Sequence, residues 1–340
     1  MNKRWNIRPE GSNWGDFGAD DRYGRMNLIT PERRLRAIQE VQFGQIFCLS
    51  LPLDRPGGQV LNAHRCPPAF KKVERDGVNM FNLALEKFDQ RLTDVSSDEA
   101  VLLYSQYSTQ WDSFAHKGSL FDVDGTGTPK KVFYNGWEIV DESGSGTHGE
   151  LGAHHVSIAN MATTGVQGRG VLIDLQHHFG NTRTHVNLNM LQEVITKDQI
   201  QIEEGDIICL HTGLGELIMQ SPITGPDASI KTACAVLDGH DKSLLQWITD
   251  TGIAAIASDN LAIDASSTLG LPKDFGHHGP ILPLHEHCLF KLGIHLGELW
   301  YLTDLARWLR DQKRSRFLLT APPLRLPGAA GSPVTPIATV

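Results

Sequence analysis

Between residues 106 and 116 the chain reads Gln-Tyr-Ser-Thr-Gln-Trp-Asp-Ser-Phe-Ala-His. Asp112 offers a hard carboxylate oxygen, and His116, four residues on, a nitrogen that titrates near neutrality. Gln106 and Gln110 add amides, which hydrogen-bond well but ligate metals weakly. A second group lies near the C-terminus, where Leu284-His285-Glu286-His287 is followed by Glu298. A His-x-His pair with carboxylates has the donors of a divalent metal site. Spacing alone also permits blander readings. Asp112 and His116 could share a structural hydrogen bond, and Glu286 could sit at the positive end of a helix with His287 exposed.

Other candidates are weaker. Gly146-Thr147-His148-Gly149-Glu150 with His154-His155 has loop composition, His177-His178 follows a strand end, and His277-His278 has the Gly neighbours of a lid or simple turn. Gly165-x-x-Gly168-x-Gly170 lacks both the dinucleotide spacing and a P-loop Lys, and no Gly-x-Ser-x-Gly elbow offers a serine nucleophile. Five cysteines, odd in number and without a C-x-x-C pair, argue against a disulfide framework or a thiolate zinc site.

The elements that must position these groups read as strands alternating with helices. Thr30 and Pro31 start a helix whose apolar stripe is Leu35, Ile38 and Val41. Ile46–Leu53 and Val101–Ser108 are expected strands, the second delivering the 109–116 segment. Short runs at 170–175, 205–213, 253–260, 294–299 and 317–319 predict buried strands, the second and third ending in polar residues, with helices over 241–251, 284–292 and 302–309. Residues 54–80 and 117–150 read as loop excursions. The fold expected is α/β, as one domain over residues 1–340.

With 340 residues, 40% of them hydrophobic, the chain can bury a real core. A net charge of 31 − 39 = −8 and no basic stripe argue against a nucleic-acid partner. No apolar run approaches a membrane span and no signal peptide is visible, so the expected location is the cytoplasm.

Several segments together resemble the cyclase family of metal-dependent hydrolases, which includes bacterial kynurenine formamidase and isatin hydrolase. They are Asp21-Arg22-Tyr23-Gly24-Arg25-Met26-Asn27, Gly168–Asp174, Gly205-Asp206 with His211-Thr212-Gly213, Ala257-Ser258-Asp259-Asn260, and Ala321-Pro322-Pro323-Leu324 through Pro336. The family signature is His-x-Gly-Thr-His-x-Asp-x-x-x-His. Aligned on Thr109, Asp112 and His116, this chain carries Gln106, Ser108 and Gln110 where the family has His, Gly and His. Ser108 would resist the path if that position needs a positive φ.

The resemblance implies a mixed central β structure, partly barrel-like, with surrounding helices. It implies Asp112 as a metal ligand and His116 as the acid/base, with Glu298 and a nearby His completing the ligands. His285 fits the longer relatives better than His287. It also implies a homodimer or larger homo-oligomer acting on a small-molecule substrate. Hydrolysis of a cyclic or amide-type substrate follows, with Gln106, Thr109, Gln110, Trp111 and Phe114 as candidate substrate contacts. Trp111, Phe114 and Trp14 could together wall an aromatic substrate, while for each of them singly plain core packing is the commoner role. Without the two imidazoles a Mn or Mg ion suits the site better than Zn. The alternatives are a metal-independent cyclase, isomerase or lyase, and a ligand-binding protein on a degenerate scaffold.

Overall fold

The computed structural model describes residues 3–139, 152–264 and 279–340. Nine strands form one mixed sheet: β1 (Ile46–Cys48), β2 (Gln110–Asp112), β3 (Gln167–Asp174), β4 (Ile207–His211), β5 (Ala255–Ser258), β6 (His295–Glu298), β7 (Arg316–Thr320), β8 (Gly331–Pro333) and β9 (Ile337–Thr339). Their order is β1-β9-β7-β3-β4-β5-β6-β2-β8, and the sheet curls into a half-barrel. The run β3-β4-β5-β6 is parallel, and the strands flanking it pair antiparallel. The mixed α/β fold expected from the sequence is the fold observed.

Alternation along each strand divides the core. Val171, Ile173, Leu210, Ile256 and Leu296 pack on one face. Leu172, Cys209, Ala257, Trp111 and Trp300 pack on the other, under the helix Thr303–Asp311. The helix Lys242–Thr251 begins at Asp241, whose side chain accepts from the Ser243 amide, and it buries Leu244 and Ile248. Its C-terminal carbonyls are covered by buried Arg25, which donates to Ile248 and Thr249 at 2.8 and 2.7 Å. Asp21 accepts from the Gly24 amide and the Asn27 side chain. Gly24 lies against the backbone of Gly293, where a Cβ would come within 2.1 Å of the carbonyl oxygen. The 21–27 segment is therefore a clamp on the helix that leads from His285 to Gly293.

Three local expectations fail. The helix after Thr30 runs only from Pro31 to Ile38, and it buries Ala37 while Leu35 is 64% exposed and Ile38 46%. Small Ala37 lets the helix sit close on the sheet, and Arg33 and Arg34 tie its polar side to Leu28 and Gln167 carbonyls. The strand expected over 101–108 is instead Glu99–Leu102, paired with Ala69–Lys72 in a solvent-exposed ribbon. The chain then turns, and the strand of the sheet is the motif itself, β2. Residues 54–80 and 117–139 carry short hairpins rather than pure loop. No helix among the described residues is long and apolar enough to cross a membrane.

Candidate functional site

β2 is sandwiched between β6 and β8, with Gln110 opposite Glu298, Trp111 opposite Gly297 and Asp112 opposite Leu296. Residues facing each other across a pair share a sheet face. Gln110, Asp112 and Glu298 therefore point to one side and Trp111 to the other. His285 comes from the short helix Pro283–His285, which widens into a π-helical turn over Glu286–Leu292. Such widened turns recur at functional sites. His116 lies just past the end of β2, in a turn where its amide donates to the Ser113 carbonyl.

The ligating atoms of Asp112, His116 and His285 all lie within 4.8 Å of one another. His116 Nε2 is 3.9 Å from Asp112 Oδ2. His285 Nε2 lies 3.1 Å from Glu298 Oε1, and its Nδ1 lies 2.7 Å from Asp264 Oδ1. Gln110 donates from Nε2 to Glu298 Oε2 at 2.9 Å. Gln106 donates from Nε2 to Asp112 Oδ1 and to His116 Nδ1, the latter at 2.9 Å. Two buried oxygens, Asp112 Oδ2 and Gln110 Oε1, have no hydrogen-bond partner. Asp112, Gln110, His285 and Glu298 are buried; access runs through half-buried His116 and Gln106.

Burial sets the protonation states and neighbouring charge modifies them. Burial pulls His116 down to about 4 against the attraction of Asp112, so its imidazole is neutral at pH 7. Burial alone would lower His285 too, but Asp264 and Glu298 on either side push it up to about 10. Glu298 rises to about 7 through burial and then the charge of Asp112, against the pull of His285. A neutral imidazole, an imidazolium and a carboxyl group poised near neutrality thus meet within one small volume, an arrangement suited to proton transfer.

The structure brings together six of the residues marked in the sequence: Gln106, Gln110, Asp112, His116, His285 and Glu298. His287 points elsewhere, with Nε2 2.9 Å from Thr249 Oγ1, and Glu286 accepts from Ser119. Three expected substrate contacts are corrected. Thr109 is locked between main-chain groups, donating to the Leu299 carbonyl and accepting from the Leu51 amide. Trp111 is on the opposite sheet face, edge-on to Trp300 and donating to the Ala321 carbonyl. Phe114 is buried, stacked on His295 at 4.1 Å. Trp14 is likewise core, donating to the Phe290 carbonyl. Each lost its expected role because an aromatic or β-branched residue beside a polar motif serves packing as readily as binding.

Ser108 does not have a positive φ, so the backbone accommodates it, and its hydroxyl donates to the Pro52 carbonyl. Asp264 was not marked in the sequence: it accepts from the Leu284 amide and holds His285. Its only sequence signal is a carboxylate after the apolar Leu261-Ala262-Ile263. His155 stacks on Trp137 and His178 pairs with Asp198, away from this site. His148, Glu150, His277 and His278 lie outside the described residues. A cavity of about 260 Å³, lined by Asp174, Lys197, Arg310 and Lys313 among others, shares no residue with the site. Asp174 there is already paired with His211 and Arg310.

The cyclase family model matches residues 48–265. The crystal structure described as a novel cyclase is 28% identical, covers 97% of each chain and superposes with a TM-score of 0.74. Isatin hydrolase A from Labrenzia aggregata, bound to benzyl benzoate, is 14% identical over 86% of this chain and 93% of its own, with a TM-score of 0.52. Isatin hydrolase A from Ralstonia solanacearum is 12% identical over 86% of this chain and 91% of its own, with a TM-score of 0.53. At those identities the two hydrolases show a shared fold. No curated protein matches the chain significantly.

Proposed function

The chain belongs to the cyclase family, and on that premise we propose that it hydrolyses a small cyclic amide, imide or lactone at the site of Asp112, His116, His285 and Glu298. The observation that carries this is their convergence from segments far apart in the chain into one mostly buried cluster. Membership of an enzyme family and the hydrolases among its structural neighbours support it.

The donors fit a divalent cation. Asp112 Oδ2 and Gln110 Oε1 are buried acceptors with nothing to accept from, and His285 and His116 stand within reach of Asp112. Asp112, His285 and Glu298 would hold the ion. When bound, it would polarise the scissile carbonyl and acidify a water. With oxygen donors in the majority, Mn or Mg suits this set better than Zn. His116 moves the proton. Neutral at pH 7 and reachable from solvent, it can take a proton from water and return it to the leaving nitrogen or oxygen. Asp264 holds the His285 ring in orientation, as a carboxylate behind a histidine does in metal sites.

One observation favours a second reading without metal. Gln106 and Gln110 already direct N–H groups at Asp112 and Glu298, and the His285 imidazolium adds a third donor. These could stabilise the carboxylates in a cation's place, with Asp112 and His116 carrying out a cyclase, isomerase or lyase reaction. Metal analysis of untagged protein, with turnover of cyclic amides, imides and lactones before and after chelation, separates the readings. Turnover of none of them would contradict the hydrolase reading and favour the metal-free reaction or a ligand-binding role.

We further infer a homo-oligomer. The ribbon of Ala69–Lys72 and Glu99–Leu102 is exposed throughout and displays Phe70, Val101 and Leu102, and an uncovered two-stranded ribbon of this composition is marginal in water.

A further inference from the structure

Arg65 adjoins the site through Gln106. Its Nη1 donates to the Gln106 main-chain carbonyl at 2.5 Å, and the Gln106 side chain bridges Asp112 and His116. Its charge reaches the reacting cluster, acting to lower both His116 and Glu298. Among the described residues no carboxylate pairs with it, in contrast to the arginines at 33, 169, 307 and 310, each of which has an acidic partner. Arg65 also lines a small crevice with Gly58, Gln59, Asn62 and Gln106. A half-buried guanidinium has five N–H donors in a fork that matches a carboxylate. Among the described residues, one hydrogen bond to a carbonyl leaves most of that capacity unused.

We propose that Arg65 binds a carboxylate carried by the substrate, so that the site takes anionic cyclic amides, imides or lactones. This rests on the hydrolase reading and names its substrate class. Two physical points favour a substrate carboxylate over the oxyanion that forms during reaction. Gln106 stands between Arg65 and His116, so the guanidinium lies outside the reacting cluster, where a group that does not react would sit. The cluster behind it holds Asp112, Glu298 and Asp264 in a chain of net charge −8. An anionic substrate would be repelled there unless a fixed cation received it.

The test is binding of small probes, independent of turnover. Benzoate and phthalate are compared with benzamide and methyl benzoate at pH 7 by calorimetry, on wild type, Arg65→Met and Arg65→Lys. The carboxylates should bind wild type at least tenfold more tightly than the neutral probes. Arg65→Met should erase that preference and Arg65→Lys retain part of it, because a lysine keeps the charge but not the fork. Thermal unfolding of each variant checks that the fold is kept, and Arg65→Lys decides the matter if Arg65→Met does not fold. Equal binding of charged and neutral probes by wild type, or an unchanged preference in both variants, overturns the proposal. His116→Ala separates this from the hydrolase reading: it should lose turnover while keeping the carboxylate preference.

Discussion

At the scale of single residues, the proposed chemistry turns on the two glutamines. Gln106 and Gln110 stand where the family signature has imidazoles, and in this structure each spends its N–H on a carboxylate. Their oxygens are the only ligating atoms they could turn to a cation, and amide oxygen suits hard ions better than zinc. Replacing both, Gln106→His with Gln110→His, should therefore raise zinc affinity by tenfold or more in a calorimetric titration. Ser108 does not stand in the way, since its backbone is not in the left-handed region. Tight zinc binding by wild type would contradict this account of the donors. Asp112, His116, His285 and Glu298 were legible in the sequence through the family resemblance, since spacing alone left blander readings open. Thr109, Trp111 and Phe114 were misassigned because strand alternation and main-chain hydrogen bonds, invisible in spacing, turn them away from the site. Asp264 and Arg65 were missed because nothing beside them in sequence marks them; only the fold brings them to His285 and Gln106.

At the scale of elements, the site depends on how β2 is held. Gly297 on β6 faces Trp111, and a Cβ there would lie 2.8 Å from the Trp300 indole nitrogen and 2.9 Å from the Ala257 Cβ. Gly297→Ala should cost about 1–3 kcal/mol by overpacking, read from urea unfolding. It should also lower turnover, because Glu298 is the next residue. Full stability in this variant would show that the contact yields freely. The central strands β4 and β5 were readable because they are short, largely apolar runs buried on both faces. β2 was not, because its inward residues are a glutamine and an aspartate, polar for the sake of the site rather than of water. The helix Leu188–Lys197 passed unread although Asn187 caps it and Leu191 and Val194 are spaced for one buried face. The helix Pro31–Ile38 shows the reverse, since two turns are too short for apolar spacing to fix which face turns inward.

At the scale of the molecule, buried histidines shape the response to pH. Burial holds His116, His287 and His295 down to about 4 from an unfolded value of 6.5. Between those values the unfolded chain binds protons that the folded chain refuses, so stability falls as pH drops from about 6.5 to about 4. Glu298, raised to about 7, opposes this by one proton, leaving a net loss on the order of 1–3 kcal/mol per pH unit. On the alkaline side His285 contributes stability that is complete below pH 6.5 and is lost as pH rises through about 10. Chelator-treated protein should accordingly show its highest melting temperature near pH 6.5–7, and a melting temperature still rising toward pH 5 would contradict the burial argument. If the exposed ribbon is an oligomer contact, light scattering should give at least twice the 37.5 kDa chain mass. Phe70→Asp should then shift it toward the monomer, and a monomeric wild type would end that inference.

The central claim is that one cluster, built from Asp112, His116, His285 and Glu298, performs hydrolysis with His116 moving the proton. The measurement that tests it most directly is ring-opening turnover of the best cyclic amide, imide or lactone by wild type and by His116→Ala at equal metal content. The fold of the variant is verified by its unfolding curve. General acid/base residues contribute about 10²–10⁴-fold, so the variant should lose at least a hundredfold in kcat while unfolding normally. A folded His116→Ala protein that keeps more than about a tenth of wild-type kcat would contradict the account.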